Sequence, residues 1–172
     1  MNSLLRITTN GLIVLFASFA AYAGAQQSST PSTSSSVVIV LSTAIYKTSD
    51  MQFGFIFPGA SGGTVVLSAT GSRTSTGTVK LPSGGSSSAA GFVVFGAPNT
   101  TFSVSYPTSI TLSRAGGSGS MTVSSIVGSP SAGGTLSSGG SATVNVGGTL
   151  TVAANQTFGQ YSGSFNVTVS YL

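Results

Sequence analysis

Side chains able to do acid–base, nucleophilic or metal chemistry are scarce in this 172-residue chain. It has no histidine and no cysteine, and its one acidic residue is Asp50. Metal sites draw mainly on these residue types, and glycoside hydrolysis uses a pair of carboxyl groups. A serine nucleophile needs a base, but Lys47 and Lys80 are preceded three residues earlier by Ala44 and Gly77, not by serine. We therefore predict a protein that is not an enzyme, without catalytic residues, metal or cofactor.

The glycine-rich and basic features are equally poor in binding chemistry. Residues 114–119 read RAGGSG, but no helical pattern follows them, so we interpret them as a turn and not as an anion-binding loop. Charged residues make up 3% of the chain, and its lysines and arginines are scattered. Nucleic-acid binding requires clustered cations that neutralise several phosphates. We therefore expect no nucleic-acid partner.

Beyond the N-terminus, apolar residues fall in short runs that alternate with polar residues, as half-buried strands require. One such alternation joins Phe53, Phe55 and Phe57. Turn residues separate the runs, and we find no amphipathic helical pattern. This spacing favours an all-β sandwich. The further strands it predicts cover residues 63–69, 77–81, 92–95, 101–106, 109–112, 120–126, 142–146, 148–153 and 161–171.

The C-terminal run, residues 161–171, gives the clearest strand pattern. Small polar residues occupy one face. The other face is apolar, which predicts that it is buried. Its members are Tyr161, Phe165, Val167, Val169 and Tyr171.

The N-terminal residues predict export. Arg6 precedes the apolar stretch GLIVLFASFA at residues 11–20, and the small residues AYAGA follow it. The stretch is too short to span a bilayer comfortably, and no longer apolar run follows. We therefore predict that residues 1–25 form a cleaved signal peptide and that no transmembrane segment remains after cleavage.

The start of the mature chain changes character within a few residues. Residues 26–36, QQSSTPSTSSS, are polar, and we predict that they form a flexible leader. We predict that residues 37–172 form a single domain. A strand that is apolar on both faces must be buried on both. Residues 37–46 are therefore either the first strand of this domain or a donor strand for a neighbour, and both interpretations stay open. The aliphatic run within them is Val37, Val38, Ile39, Val40 and Leu41.

Three sequence blocks carry a resemblance: SDMQFG at residues 49–54, VGGTLTV at 146–152 and GQYSGSFNVTVSY at 159–171. In this order they resemble a family of small secreted bacterial β-domains of unknown function. The last block is also similar to the closing strand of spore-coat protein U-type domains and of archaic chaperone–usher pilus subunits. The resemblance implies an immunoglobulin-like, fimbrial-type antiparallel β-sandwich with Greek-key connections. Unlike many pilus subunits, this chain has no cysteine pair, so no disulfide is expected.

The same resemblance implies a function. Pilus subunits lack one strand of their own sandwich, and a neighbour's N-terminal extension, or a chaperone before assembly, fills the gap. The expectation is a structural subunit of a fimbrium or pilus-like fibre that assembles by β-strand addition. Its partners would be further copies of itself, a periplasmic chaperone and an outer-membrane usher. It would cross the periplasm to the cell surface or the extracellular medium.

Specific residues follow from that expectation. Residues 37–41 would form the donor segment, and the apolar face of residues 161–171 would form the strand gripped by a chaperone or flanking the acceptor groove. The alternative is a self-complete secreted or surface sandwich that acts as an adhesin or coat component.

Overall fold

Residues 44–172 are described by a computed structural model. The predicted signal peptide, the polar leader and the aliphatic residues 37–41 lie outside this described part. Residues 44–172 contain strands and no helix. The strands are β1 (Ala44–Ser49), β2 (Gly63–Leu67), β3 (Arg73–Ser75), β4 (Ala90–Phe95), β5 (Thr101–Ser105), β6 (Ser109–Arg114), β7 (Ser120–Ser129), β8 (Gly133–Thr135), β9 (Ser141–Val152), β10 (Tyr161–Ser162) and β11 (Thr168–Tyr171).

The larger sheet is organised around β9. Its order is β1-β4-β9-β7-β6-β10, with β2 also paired to β9 and β3 to β2. β9 pairs with β4 up to Val146 and with β2 from Gly148 onward. A Cβ atom on Gly147 would collide with the carbonyl oxygen of Leu67. Glycine at this position therefore lets one long strand change partners along a single edge.

The smaller sheet has the order β11-β5-β8, and every pairing in both sheets is antiparallel. One apolar cluster lies between this sheet and the inner side chains of β4 and β9, among them Val94, Phe102 and Val144. A second cluster, with Val65, Val123 and Leu150, belongs to the other half of the larger sheet. The predicted β-sandwich without a disulfide is confirmed.

The strand order follows that of an immunoglobulin-like sandwich. In such a fold, strands A, B, E and D form one sheet, and G, F and C form the other. Here β1, β4, β9 and β7 lie side by side in the order A-B-E-D, and β11 and β5 take the positions of F and C. Along the chain the six strands follow one another as A (β1), B (β4), C (β5), D (β7), E (β9) and F (β11). The outer edge of β11 pairs with no strand within residues 44–172.

Several predicted strands differ from those observed. Residues 77–81 form no strand; Lys80 only bridges to Phe57. The short strands β3 and β8 lie in segments predicted as turns. Their Ser-, Thr- and Gly-rich sequences have no apolar period and form strands because a neighbouring strand pairs with them. The predicted strands at 142–146 and 148–153 form the single strand β9.

Candidate functional site

A wide cleft of about 1520 Å³ opens over the second apolar cluster. We call residues 47–58 the first rim and residues 156–165 the second rim; both line the cleft. The floor consists of inward-facing side chains from β6, β7 and β9. These are Ile110, Leu112, Met121, Val123, Leu150 and Val152. Apart from half-buried Leu112, these floor side chains are 8% exposed or less, so an extended apolar segment between the rims would bury mainly the exposed side chains of the rims above this core.

Both rims consist largely of backbone outside the sheets. Beyond the end of β1, the first rim makes two isolated bridges, Gln52 to Ser88 and Phe57 to Lys80. On the second rim, β10 pairs with β6, and residues 163–167, which continue it towards β11, belong to no strand. Backbone groups that take part in no ladder are the groups through which an added strand is bound.

Exposed aromatic side chains concentrate at this cleft. Phe55 and Phe57 on the first rim are 65% and 58% exposed, and Phe158 on the second rim is 82% exposed. Large apolar side chains grouped at one opening mark an interaction surface more often than scattered ones do. The rims therefore add apolar area above the floor.

Arg73 fixes the first rim. Its guanidinium donates hydrogen bonds to the carbonyl oxygens of Phe53 (2.6 Å), Phe55 (2.9 Å) and Pro82 (3.2 Å). Gly54, with a φ of 69°, lies between these carbonyl groups and ends the strand alternation expected for the phenylalanines. Phe53 is consequently buried in the core at 8% exposure, whereas Phe55 remains at the surface.

Arg114 fixes the second rim in the same way, by hydrogen bonds to backbone carbonyl groups. Its Nε donates to the carbonyl oxygen of Ser118 (2.9 Å) within the turn between β6 and β7. One guanidinium nitrogen donates to the carbonyl oxygen of Phe158 (3.3 Å). Each rim is thus tied to the sheet by an arginine.

The five residues predicted to form the apolar face of the C-terminal strand all turn partly away from solvent. Each is half-buried, and the residues between them are exposed. They do not form one strand, because the chain crosses from the larger sheet at β10 to the smaller sheet at β11. Tyr161 and Phe165 line the cleft, while Val167, Val169 and Tyr171 pack on the first cluster.

Aromatic side chains hold this crossing in place at both ends and in the middle. The hydroxyl of Tyr161 donates to the carbonyl oxygen of Thr157 (2.7 Å), and that of Tyr171 donates to the carbonyl oxygen of Phe95 (3.3 Å). Phe165 touches both apolar clusters. Its ring lies edge-on to that of Phe92, 6.5 Å between centroids. The predicted donor residues Val37, Val38, Ile39, Val40 and Leu41 are outside the described residues.

The cleft is almost free of charge. Its charged lining residues are Lys47 and Asp50, whose Nζ and Oδ1 atoms lie 2.6 Å apart in the one ion pair of the described region. Within residues 44–172 there is no group of three potential metal ligands and no helix long and apolar enough to cross a membrane. The arrangement suits an apolar, uncharged peptide segment.

Comparison with known proteins identifies a family for the chain. The family model described as a domain of unknown function, DUF4402, matches residues 43–171. No curated protein and no solved structure is significantly similar to the chain. The resemblance to a β-domain family of unknown function is thereby confirmed, whereas no match links the chain to spore-coat proteins or pilus subunits. The chain belongs to the DUF4402 family of domains of unknown function.

Proposed function

We propose that this protein is a non-catalytic structural subunit of a cell-surface fibre, exported across the periplasm and assembled by β-strand addition. The observation that carries the proposal is the open apolar cleft between the two rims. An incoming strand would lie between residues 47–58 and 156–165, with alternate side chains on the floor and its backbone facing the unpaired rim segments.

Residues 37–41 have the chemistry of the occupant. They are aliphatic, and residues 26–43 contain no charged side chain, which matches the nearly uncharged cleft. Burying five such side chains contributes on the order of 8–15 kcal/mol before costs. Fixing about ten backbone residues costs a comparable amount. Pairing of the strand backbone with the rims would therefore decide whether the complex is stable.

A second copy is a better acceptor than the same copy. Only Ser42 and Thr43 separate the aliphatic run from β1, which begins at Ala44. To return along β1 towards its own cleft, the chain would have to reverse through these two residues. Two-residue hairpin loops strongly favour Asn-Gly, Asp-Gly or glycine at the first position, which Ser-Thr does not provide. Continuing outward into a neighbour avoids this turn.

The absence of native cysteine allows a direct test by disulfide cross-linking. Ile39→Cys would be combined, one at a time, with cysteine at three exposed second-rim positions: Gln160, Ser162 and Ser164. At least one pair should give a ladder of cross-linked multimers on a non-reducing gel. Thr151→Cys, on the exposed face of β9 away from the cleft, is the matched control and should give no ladder.

Two results would contradict the proposal. Cross-links formed within single monomers would support the alternative, a self-complete adhesin or coat domain. The two well-buried apolar clusters within residues 44–172 also favour that alternative. A chain lacking residues 26–41 that still forms fibres would exclude that segment as the donor. If strand addition holds, a periplasmic chaperone that fills the same cleft and an outer-membrane usher are the expected assembly partners.

A further inference from the structure

The outer face of the larger sheet carries an asparagine in an unusual place. Asn145 lies within the central strand β9, where asparagine is disfavoured. It pairs with Gly91 on one side and Ser129 on the other. These small neighbours leave its side chain accessible above the sheet. No hydrogen bond joins its amide to another group of residues 44–172, so both its donor and its acceptor are available.

A polar depression of about 340 Å³ lies against this amide. Hydroxyl groups line it and are held in place by bonds of their own. Ser87 Oγ donates to the carbonyl oxygen of Gly71 (3.3 Å), and Ser88 Oγ donates to that of Asp50 (2.8 Å). Each of these oxygens keeps lone pairs free to accept a hydrogen bond. No charged side chain lines the depression.

An exposed aromatic ring flanks the same face. Tyr46 pairs with Val93, which pairs with Thr143, two residues before Asn145 on β9. Tyr46 and Asn145 therefore point to the same side of the sheet. Tyr46 is 60% exposed, and the ring of Phe95 lies edge-on to it at 5.8 Å. Between Tyr46 and Asn145, the hydroxyl oxygens of Thr48 and Ser49 lie over Gly91.

We propose that this face binds a neutral oligosaccharide, with one sugar unit in the depression and a further unit on Tyr46, which lies outside the depression, as a site separate from the cleft. A sugar ring presents C–H groups that stack on an aromatic face and hydroxyl groups that both donate and accept hydrogen bonds. The Asn145 amide can bond two neighbouring hydroxyls at once, and the fixed serine oxygens accept from others. Acidic sugars are excluded from the assignment because no lysine or arginine lies in the site to pair with a carboxylate or sulfate.

The test uses the full mature chain on an array of immobilised neutral oligosaccharides of mannose, galactose, glucose and N-acetylglucosamine, with sialylated and sulfated glycans beside them. The wild-type chain should retain a subset of the neutral glycans. Asn145→Ala and, independently, Tyr46→Ala should each weaken that binding about tenfold, as loss of one or two hydrogen bonds or of a stacking contact predicts. Thr151→Ala, on the same face of β9 outside the depression, should bind as wild type does.

Thermal unfolding of each variant shows whether the sheet is intact, and the two independent substitutions guard against loss of one variant through misfolding. Wild-type chain that binds none of the neutral glycans would overturn the assignment. So would Asn145→Ala and Tyr46→Ala variants that bind as tightly as wild type, or binding restricted to the sialylated and sulfated glycans.

Discussion

Two of the few charged residues, Arg73 and Arg114, bind backbone groups around the cleft. Arg73 and Arg114 together donate to carbonyl groups on both rims. From the sequence, these arginines are only scattered cations, because nothing in their neighbours indicates which distant carbonyl groups they meet. Phe158, more than forty residues from Arg114 along the chain, becomes its partner only through the fold.

Tyr106 provides a residue-scale prediction about pH. Its hydroxyl donates to the carbonyl oxygen of Pro130 (3.1 Å), and burial raises its pKa. The folded state therefore holds this proton more tightly than the unfolded state does. That contribution to stability is fully present below the ordinary pKa of about 10 and is lost as the pH rises through the raised value. Tyr106→Phe should flatten the decline of the unfolding temperature between about pH 9 and pH 12.

The control for this measurement is Tyr46→Phe, which removes a hydroxyl from an exposed ring on β1. An unfolding temperature that declines equally in wild type and in Tyr106→Phe would show that the Tyr106 proton does not contribute to alkaline instability.

At the scale of elements, the sequence predicted those strands whose side chains alternate. β2, β4, β5 and β6 lie where apolar alternation indicated them, because one face of each packs on the core. The cleft itself could not be predicted. It depends on Gly54 interrupting the phenylalanine alternation and on residues 163–167 crossing between sheets, and both are consequences of how distant strands pack.

β1 offers an element-scale prediction about edges. It ends the larger sheet, and its outer edge pairs with no strand within residues 44–172. Lys47 is opposite Phe92, whose side chain belongs to the core face. A lysine on an edge strand discourages pairing with other chains. Lys47→Val should therefore cause disordered aggregation at protein concentrations where wild type scatters little light.

Stability should change little in the same variant, because an exposed ion pair such as Lys47–Asp50 is worth about 0–1 kcal/mol. Lys47→Arg, which keeps the charge, should behave as wild type does. Equal light scattering from Lys47→Val and wild type would mean that another feature protects this edge.

For the whole molecule, low charge links the two proposed sites. The cleft has one internal ion pair and the depression beside Asn145 has no charged side chain, so both would suit the uncharged partners proposed for them. Such a surface has little electrostatic protection against association. For a free monomer this is a hazard, whereas for a subunit surrounded by copies of itself it removes a source of repulsion.

Assembly should accordingly be insensitive to sodium chloride. Raising the salt shortens the screening length from about 10 Å at 0.1 M to about 3 Å at 1 M, which matters only where separate charges attract or repel each other. Neither the cleft lining beyond Lys47–Asp50 nor residues 26–43 supply such charges. The rate of multimer formation, followed by light scattering, should change less than about twofold over that range, whereas the rate of an electrostatically steered association would fall steeply with ionic strength.

Sodium sulfate at matched ionic strength should accelerate assembly, because it strengthens apolar burial. If the rate of multimer formation instead fell steeply as sodium chloride was raised, the occupant would be a charged segment, which would exclude residues 37–41.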